Sequence, residues 1–175
     1  MIGDALNGDR LIGMVLLREV QRPTNEQNPP IYSTGCAGLI MHAEQLADGR
    51  YNVVLRGYEK FRIRAEGQQH SYRIADIEPI SEPLSSRQQE DLRTSRQRIE
   101  LLIDQSNQGP ESKLPRDIPD VELVNALSQH LEFDPIEKQA LLESDGILAR
   151  CHTLIGLLQM RQLVSSQPNS LRTPQ

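Results

Sequence analysis

Tryptophan is absent from this 175-residue chain, and four tyrosines and two phenylalanines are its only aromatic rings. Binding by a few rigid aromatic anchors is therefore disfavoured, and adaptable aliphatic contact is favoured in its place. Cysteine is nearly absent too. Cys36 and Cys151 lie far apart, each among apolar residues, and read as two reduced, largely buried thiols rather than a disulfide. Basic charge is not in excess: the net charge is -5, with no lysine- or arginine-rich run, which argues against a phosphate-binding face. No apolar run approaches the length of a membrane-spanning helix, and no charged-then-apolar leader opens the sequence, so a cytoplasmic location and no membrane partner are expected.

Chemistry-bearing motifs are missing as well. No GxxxxGK(S/T) run is present to cradle a nucleoside triphosphate. The three lysines, Lys60, Lys113 and Lys138, fall in a strand corner, a connector and a helix, contexts unsuited to a serine–lysine protease. His42, His70, His130 and His152 show neither i, i+4 spacing nor clustering with cysteine, so no metal site is assigned. Cys151 and His152 are neighbours on a predicted helix and point about 100° apart, which does not make a nucleophile–base pair. The expectation is a protein without cofactor and without catalytic residues.

What is present begins with the run from Asp48 to Ile63. Asp48-Gly49 is a strong turn signal, because glycine reaches positive φ without steric cost. Tyr51, Val53 and Leu55 alternate with Asn52, Val54 and Arg56, and Phe61 and Ile63 alternate with Arg62 and Arg64. Both runs carry the period of half-buried antiparallel strands, with Gly57 marking a sharp bend between them. Around them, Met1 to Asn7 reads as a helix stopped by a left-handed Gly8. Leu11 to Leu17 reads as a buried strand, Gln21 to Pro30 as a loop, and Gly35 to His42 and Tyr72 to Ile80 as further strands. A meander of short strands of this kind suits a small barrel or pseudo-barrel.

From Ser85 the period becomes helical. Leu92, Ile99, Leu102 and Ile103 form one apolar stripe, with Ser86 and Gln89 as an expected capping box. Asn107 to Pro119 is a connector, and a helix follows from Val121 to Leu131 with Asp120 as its N-cap. Asp134-Pro135-Ile136-Glu137 is a clear helix start. In the last helix, from about Asp145, Ile147, Leu148, Cys151, Leu154, Ile155 and Leu158 share one face. Residues 165–175 are polar and expected to be disordered. The resulting expectation is an α+β fold: a β subdomain over residues 1–84, a bundle of about four helices over 85–164, and a tail over 165–175.

The run from Tyr32 to Ile40, the run from Leu46 to Gly57, Phe61-Arg62-Ile63, Tyr72-Arg73, and then Lys138 to Glu143, Arg150 and Leu154 to Leu158 together resemble a known family. They are similar to the amino-terminal substrate-binding domain of ATP-dependent Lon proteases, and especially to stand-alone bacterial proteins made of that domain. The resemblance covers residues 1–164. It implies a PUA-like barrel followed by helices, and non-catalytic recognition of unfolded or extended polypeptide, with a protease or chaperone as a further partner. It also implies two strands and part of a helix ahead of Met1, so Met1 is expected to be an internal methionine and the barrel to lack its first strands. Partner-binding residues do not carry over, because the matching positions are glycines and core residues.

Two rivals stand beside this reading. Arg50, Arg56, Arg62, Arg64 and Arg73 would suit RNA if they formed an open basic stripe; pairing with Glu59, Glu66, Asp76 and Glu78 is the favoured alternative. A small hydrolase would need Cys36 or Cys151 gathered with a histidine.

Overall fold

The computed structural model describes residues 1–18, 29–67, 71–105 and 117–166. The Gln21–Pro30 loop lies almost wholly outside the described residues, as do His70, most of the Asn107–Pro119 connector and the tail beyond Ser166. Two compact units follow one another, Met1–Ser81 and Glu82–Gln175. The first holds an antiparallel sheet and the second holds helices, the α+β class expected from the sequence.

In the first unit, helix α1 (Ile2–Asn7) is followed by β1 (Leu11–Met14), β2 (Thr34–Gln45), β3 (Tyr51–Gly67) and β4 (Ile74–Pro79). The strands hydrogen-bond in sequence order, so the sheet is an open meander with β1 and β4 at its edges. Asp48 and Gly49 close the β2–β3 hairpin as expected. Gly49 has φ +85°, and the Asp48 carboxylate accepts hydrogen bonds from the Arg50 N–H at 3.0 Å and Nε at 2.8 Å. That guanidinium, and then the backbone N–H, hold the Asp48 carboxyl below its ordinary pKa.

Three expectations for this unit need correction. Gly57 is not a corner between two strands: β3 runs unbroken through it. The register instead shifts between Ala37 and Gly38, where Gly57 faces Gly38 and Glu59 faces Ala37, leaving Tyr58 as a bulge residue. Gly8 is not left-handed (φ -112°); the positive φ, 59°, falls on Arg10. Arg10 is secured there by mutual bonds with β2, its Nε donating to the Ile40 carbonyl at 3.0 Å and its carbonyl accepting from the Ile40 N–H at 2.8 Å. Finally, Leu11 to Leu17 is not a buried strand. β1 ends at Met14, Leu17 makes only an isolated bridge to Ile31, and Met14 and Leu17 are 53% and 56% exposed. An edge strand with one hydrogen-bonded neighbour leaves an apolar run partly uncovered.

The sheet unit is thinly cored. Among its described residues only Ile40 and Phe61 are fully buried apolar side chains. Phe61 packs where Gly13 and Gly35 leave room: a Cβ on Gly35 would lie 2.7 Å from the ring and 2.6 Å from the Met14 carbonyl oxygen.

The second unit contains α2 (Ser86–Gln105), α3 (Asp120–His130), α4 (Pro135–Glu143) and α5 (Gly146–Ser166). Its core is continuous, and the apolar stripe read from the sequence is its frame: Leu92, Ile99, Leu102 and Ile103 from α2 meet Ile147, Cys151, Leu154, Ile155 and Leu158 from α5. α3 and α4 add Leu123, Val124, Leu127 and Leu141, with Phe133 between them. The α2 capping box sits one residue earlier than expected. The Ser85 hydroxyl accepts from the Gln88 N–H at 3.3 Å, and the Gln88 side chain accepts from the Ser85 N–H at 3.0 Å. Asp120 is not the cap of α3, whose N-cap is Pro119. Its carboxylate instead accepts from Arg96 Nη1 at 2.8 Å, fixing the start of α3 against α2. At α4 the expected box is present, with Glu137 accepting from the Asp134 N–H at 2.9 Å and proline at the first position.

Candidate functional site

The two cysteines stand in different units of the chain. Cys151 is 0% exposed on α5, and burial pushes its thiol up to about 11, partly offset by a hydrogen bond with Ser95, so it is not a thiolate nucleophile. His152 beside it faces outward. Cys36, in the other unit, is half-buried, and its thiol donates to the Ala37 carbonyl at 3.4 Å. Among the described residues no group of three or more His, Cys, Asp or Glu side chains has metal-site geometry. No described helix is long and apolar enough to cross a membrane.

The strand arginines separate into two groups. Arg64 pairs with Glu78 across β3 and β4, Arg73 approaches Glu66 at 3.5 Å, and Arg50 pairs with Asp48 rather than with a residue of the expected set. Arg56 and Arg62 form no ion pair among the described residues. Leu39 stands opposite Arg56 while Thr34 and Glu78 stand opposite Arg62, so the two do not extend one basic row.

What the sheet unit does present is apolar surface. Leu11, Met14, Leu17, Met41, Val54, Tyr58, Ile74 and Ile77 are exposed, between 39% for Leu11 and 64% for Tyr58. The fold explains several of them. Leu11 opposes Leu39, which opposes Arg56, making one cross-strand row over three strands. The register shifts again between Ile40 and His42, leaving Met41 unpaired as Tyr58 is unpaired further along. Each bulge thus ejects a large side chain from the ladder. The glycines of the Gly35–His42 strand permit close backbone approach or a bulge without placing one at Met41, and the bulge at Tyr58 was missed; a glycine inside a strand pattern next to a large residue, Gly57-Tyr58, was the available signal for it.

The two edges differ in kind. The Ile80 N–H donates to the Lys60 carbonyl, so Phe61 and Pro79 are a non-hydrogen-bonded pair and the proline nitrogen faces outward with no proton to give. Asp76 and Glu78 add acidic side chains to that edge. β1 and the three residues that follow it, Leu11 to Leu17, carry neither proline nor charge.

The helical unit is tied by a buried cation. Arg150, 7% exposed, donates through Nη2 to Glu82 at 2.7 Å, through Nη1 to the Asn125 side-chain oxygen at 2.8 Å and through Nε to the Leu141 carbonyl at 3.1 Å. One guanidinium thus joins the entry to the unit, α3, the last turns of α4 and α5. Its role is to hold the bundle together.

The family model for the ATP-dependent protease La (LON) substrate-binding domain matches residues 1–160. The chain belongs to this Lon substrate-binding domain family. It is 24% identical over 181 aligned residues to Lon protease 2 of Myxococcus xanthus, covering 98% of this chain and 21% of that protein. It is 29% identical over 122 residues to Lon protease 2 of Syntrophobacter fumaroxidans, covering 65% of this chain and 15% of the relative. Among solved structures, the N-terminal domain of Mycobacterium avium complex Lon protease shares its fold, with a TM-score of 0.58 at 14% identity, over 85% of this chain and 89% of that one. The chain therefore spans about a fifth or less of the curated Lon relatives it matches, and the matching part is the substrate-binding domain. At that level it is a substrate-recognition module.

Proposed function

We propose that this Lon-type domain binds unfolded or extended polypeptide without catalysing its conversion, and that it acts in the cytoplasm in the service of a separate protease or chaperone. The observation that carries the reading is the concentration of half-exposed aliphatic side chains on a thinly cored sheet. Covering the remaining half of a leucine, methionine or valine side chain contributes roughly 1 kcal/mol. Several such contacts give weak, sequence-tolerant binding once the cost of association is subtracted. Flexible aliphatic and methionine side chains repack around different segments, as a recognition surface with few aromatics requires.

The test is a titration of the protein into a fluorescently labelled, reduced and carboxymethylated polypeptide, and separately into single-stranded RNA, as salt is raised. Polypeptide binding should persist at high salt. Binding to RNA alone, falling steeply with salt, would instead place the module in the nucleic-acid class.

A further inference from the structure

We infer that Ser81 is a single-residue hinge in the chain between the two units, and that the Glu82–Arg150 ion pair is the latch that keeps the hinge that short. The chain is anchored on both sides of Ser81. On the sheet side, Pro79 faces Phe61 and the Ile80 N–H donates to the Lys60 carbonyl at 2.8 Å. On the helical side, the Glu82 carboxylate accepts from Arg150 Nη2 at 2.7 Å. The same guanidinium is held in turn by the Asn125 side chain of α3 and the Leu141 carbonyl of α4. Leu84 then packs against the helical core, and Ser85 caps α2. Ser81 stands between these anchors, exposed and without a hydrogen bond or ion pair among the described residues. The division into two compact units falls at the same point, between Ser81 and Glu82.

Backbone chemistry narrows the freedom that remains. The ring of Pro83 fixes its own φ and biases Glu82 toward extended conformations. The soft torsions of the connection are therefore chiefly the φ and ψ of Ser81, which can change without breaking a bond in either unit. Release of Glu82 would lengthen the free connection to Ser81, residue 82 and Pro83, with Leu84 as the next anchor. Two further free residues add roughly 7 Å of reach. An apolar side chain at position 82 could stabilise the bundle as well as a buried ion pair does. What the ion pair adds is direction, because hydrogen bonds from a guanidinium fix where the incoming chain runs. With Arg150 7% exposed and the Glu82 side chain 19% exposed, salt screens this latch little.

Nitrogen-15 NMR relaxation on the full chain reads the tumbling time of each unit separately. In wild type the two times should agree, because so short a connection couples the units. In Glu82→Ala both times should shorten by at least about a fifth as the connection lengthens. Asn125→Ala removes another partner of Arg150 without touching the connection, and should keep wild-type tumbling. Insertion of two glycines after Ser81 lengthens the connection with the latch intact, and should uncouple the units whether or not Glu82→Ala folds. Thermal melting establishes that each variant is folded. Unequal tumbling times in wild type, or unchanged tumbling in the insertion variant, would overturn the hinge. Wild-type tumbling in a folded Glu82→Ala protein, or equal uncoupling by Asn125→Ala, would overturn the latch.

Discussion

Replacing Arg150 with alanine removes the cation on which the helical unit converges. Three acceptors lose the Arg150 guanidinium at once: the Glu82 carboxylate, the Asn125 side-chain oxygen and the Leu141 carbonyl. Breaking a buried ion pair from one side costs about 3–5 kcal/mol, because the remaining charge stays desolvated. The Glu82 side chain keeps 19% of its exposure, so water can reach it in part. The lower end, about 3 kcal/mol, is therefore expected. Arg150→Lys keeps the charge but not the planar fork that serves three directions, and about 1–2 kcal/mol should be lost. The Arg150→Ala, Glu82→Gln double variant should be less unstable than the sum of the single ones, with a coupling of about 1–2 kcal/mol. Urea unfolding followed by the helical circular-dichroism signal reads wild type and the four variants. A loss below about 0.5 kcal/mol for Arg150→Ala, or strict additivity with Glu82→Gln, would refute the assignment of Arg150 as the tie among these elements.

Further outcomes follow from single contacts. Gly35→Ala should destabilise the sheet unit by about 2–3 kcal/mol, since the new methyl would meet a backbone carbonyl that cannot swing aside. Gly38→Ala, whose nearest neighbour is Leu55 at 3.4 Å, should fall within about 1 kcal/mol of wild type, both variants being read by thermal melting. Ser85→Ala should cost about 1 kcal/mol and Ser86→Ala much less, because the capping hydroxyl belongs to Ser85. The Cys151 thiol titrates higher folded, at about 11, than unfolded, at about 8.5. Its contribution is therefore complete below about pH 8.5 and lost as pH rises toward 11, so the stability advantage of wild type over Cys151→Ala should shrink by about 3 kcal/mol across that window. An advantage constant from pH 8 to 11 would contradict the buried-thiol assignment.

The helical unit was the more legible half of the sequence. Its two apolar stripes, on α2 and α5, repeat at 3.6 residues over about three turns, and the Asp134-Pro135 start is marked by three independent signals. Errors there were of one residue, as at Ser85, where two adjacent serines and two candidate glutamines offered the same motif. The sheet was legible in its alternation and in the Asp48-Gly49 turn, where local chemistry decides the conformation. It was not legible where tertiary pairing decides. Whether Gly57 turns the chain or admits a bulge depends on the spacing of β2, and whether Leu11 to Leu17 is buried depends on what lies beside it. Arg10 illustrates the same limit, since its left-handed backbone is held by Ile40, thirty residues away. The candidate surface was least visible, because exposed leucine, methionine and tyrosine look like core residues until a register assigns them elsewhere.

Affinity for a permanently unfolded polypeptide, compared between two surface variants, tests polypeptide recognition by the sheet most directly. One carries Met14→Ser, Leu17→Ser and Met41→Ser on the sheet unit; the other carries Met160→Ser, Leu163→Ser and Val164→Ser on exposed positions of α5. Both leave the buried residues untouched, and unchanged melting would confirm that each is folded. The sheet variant should bind at least about tenfold more weakly, with the helical variant within a factor of about two of wild type. Loss in the helical variant with full binding in the sheet variant would contradict the assignment of recognition to the sheet.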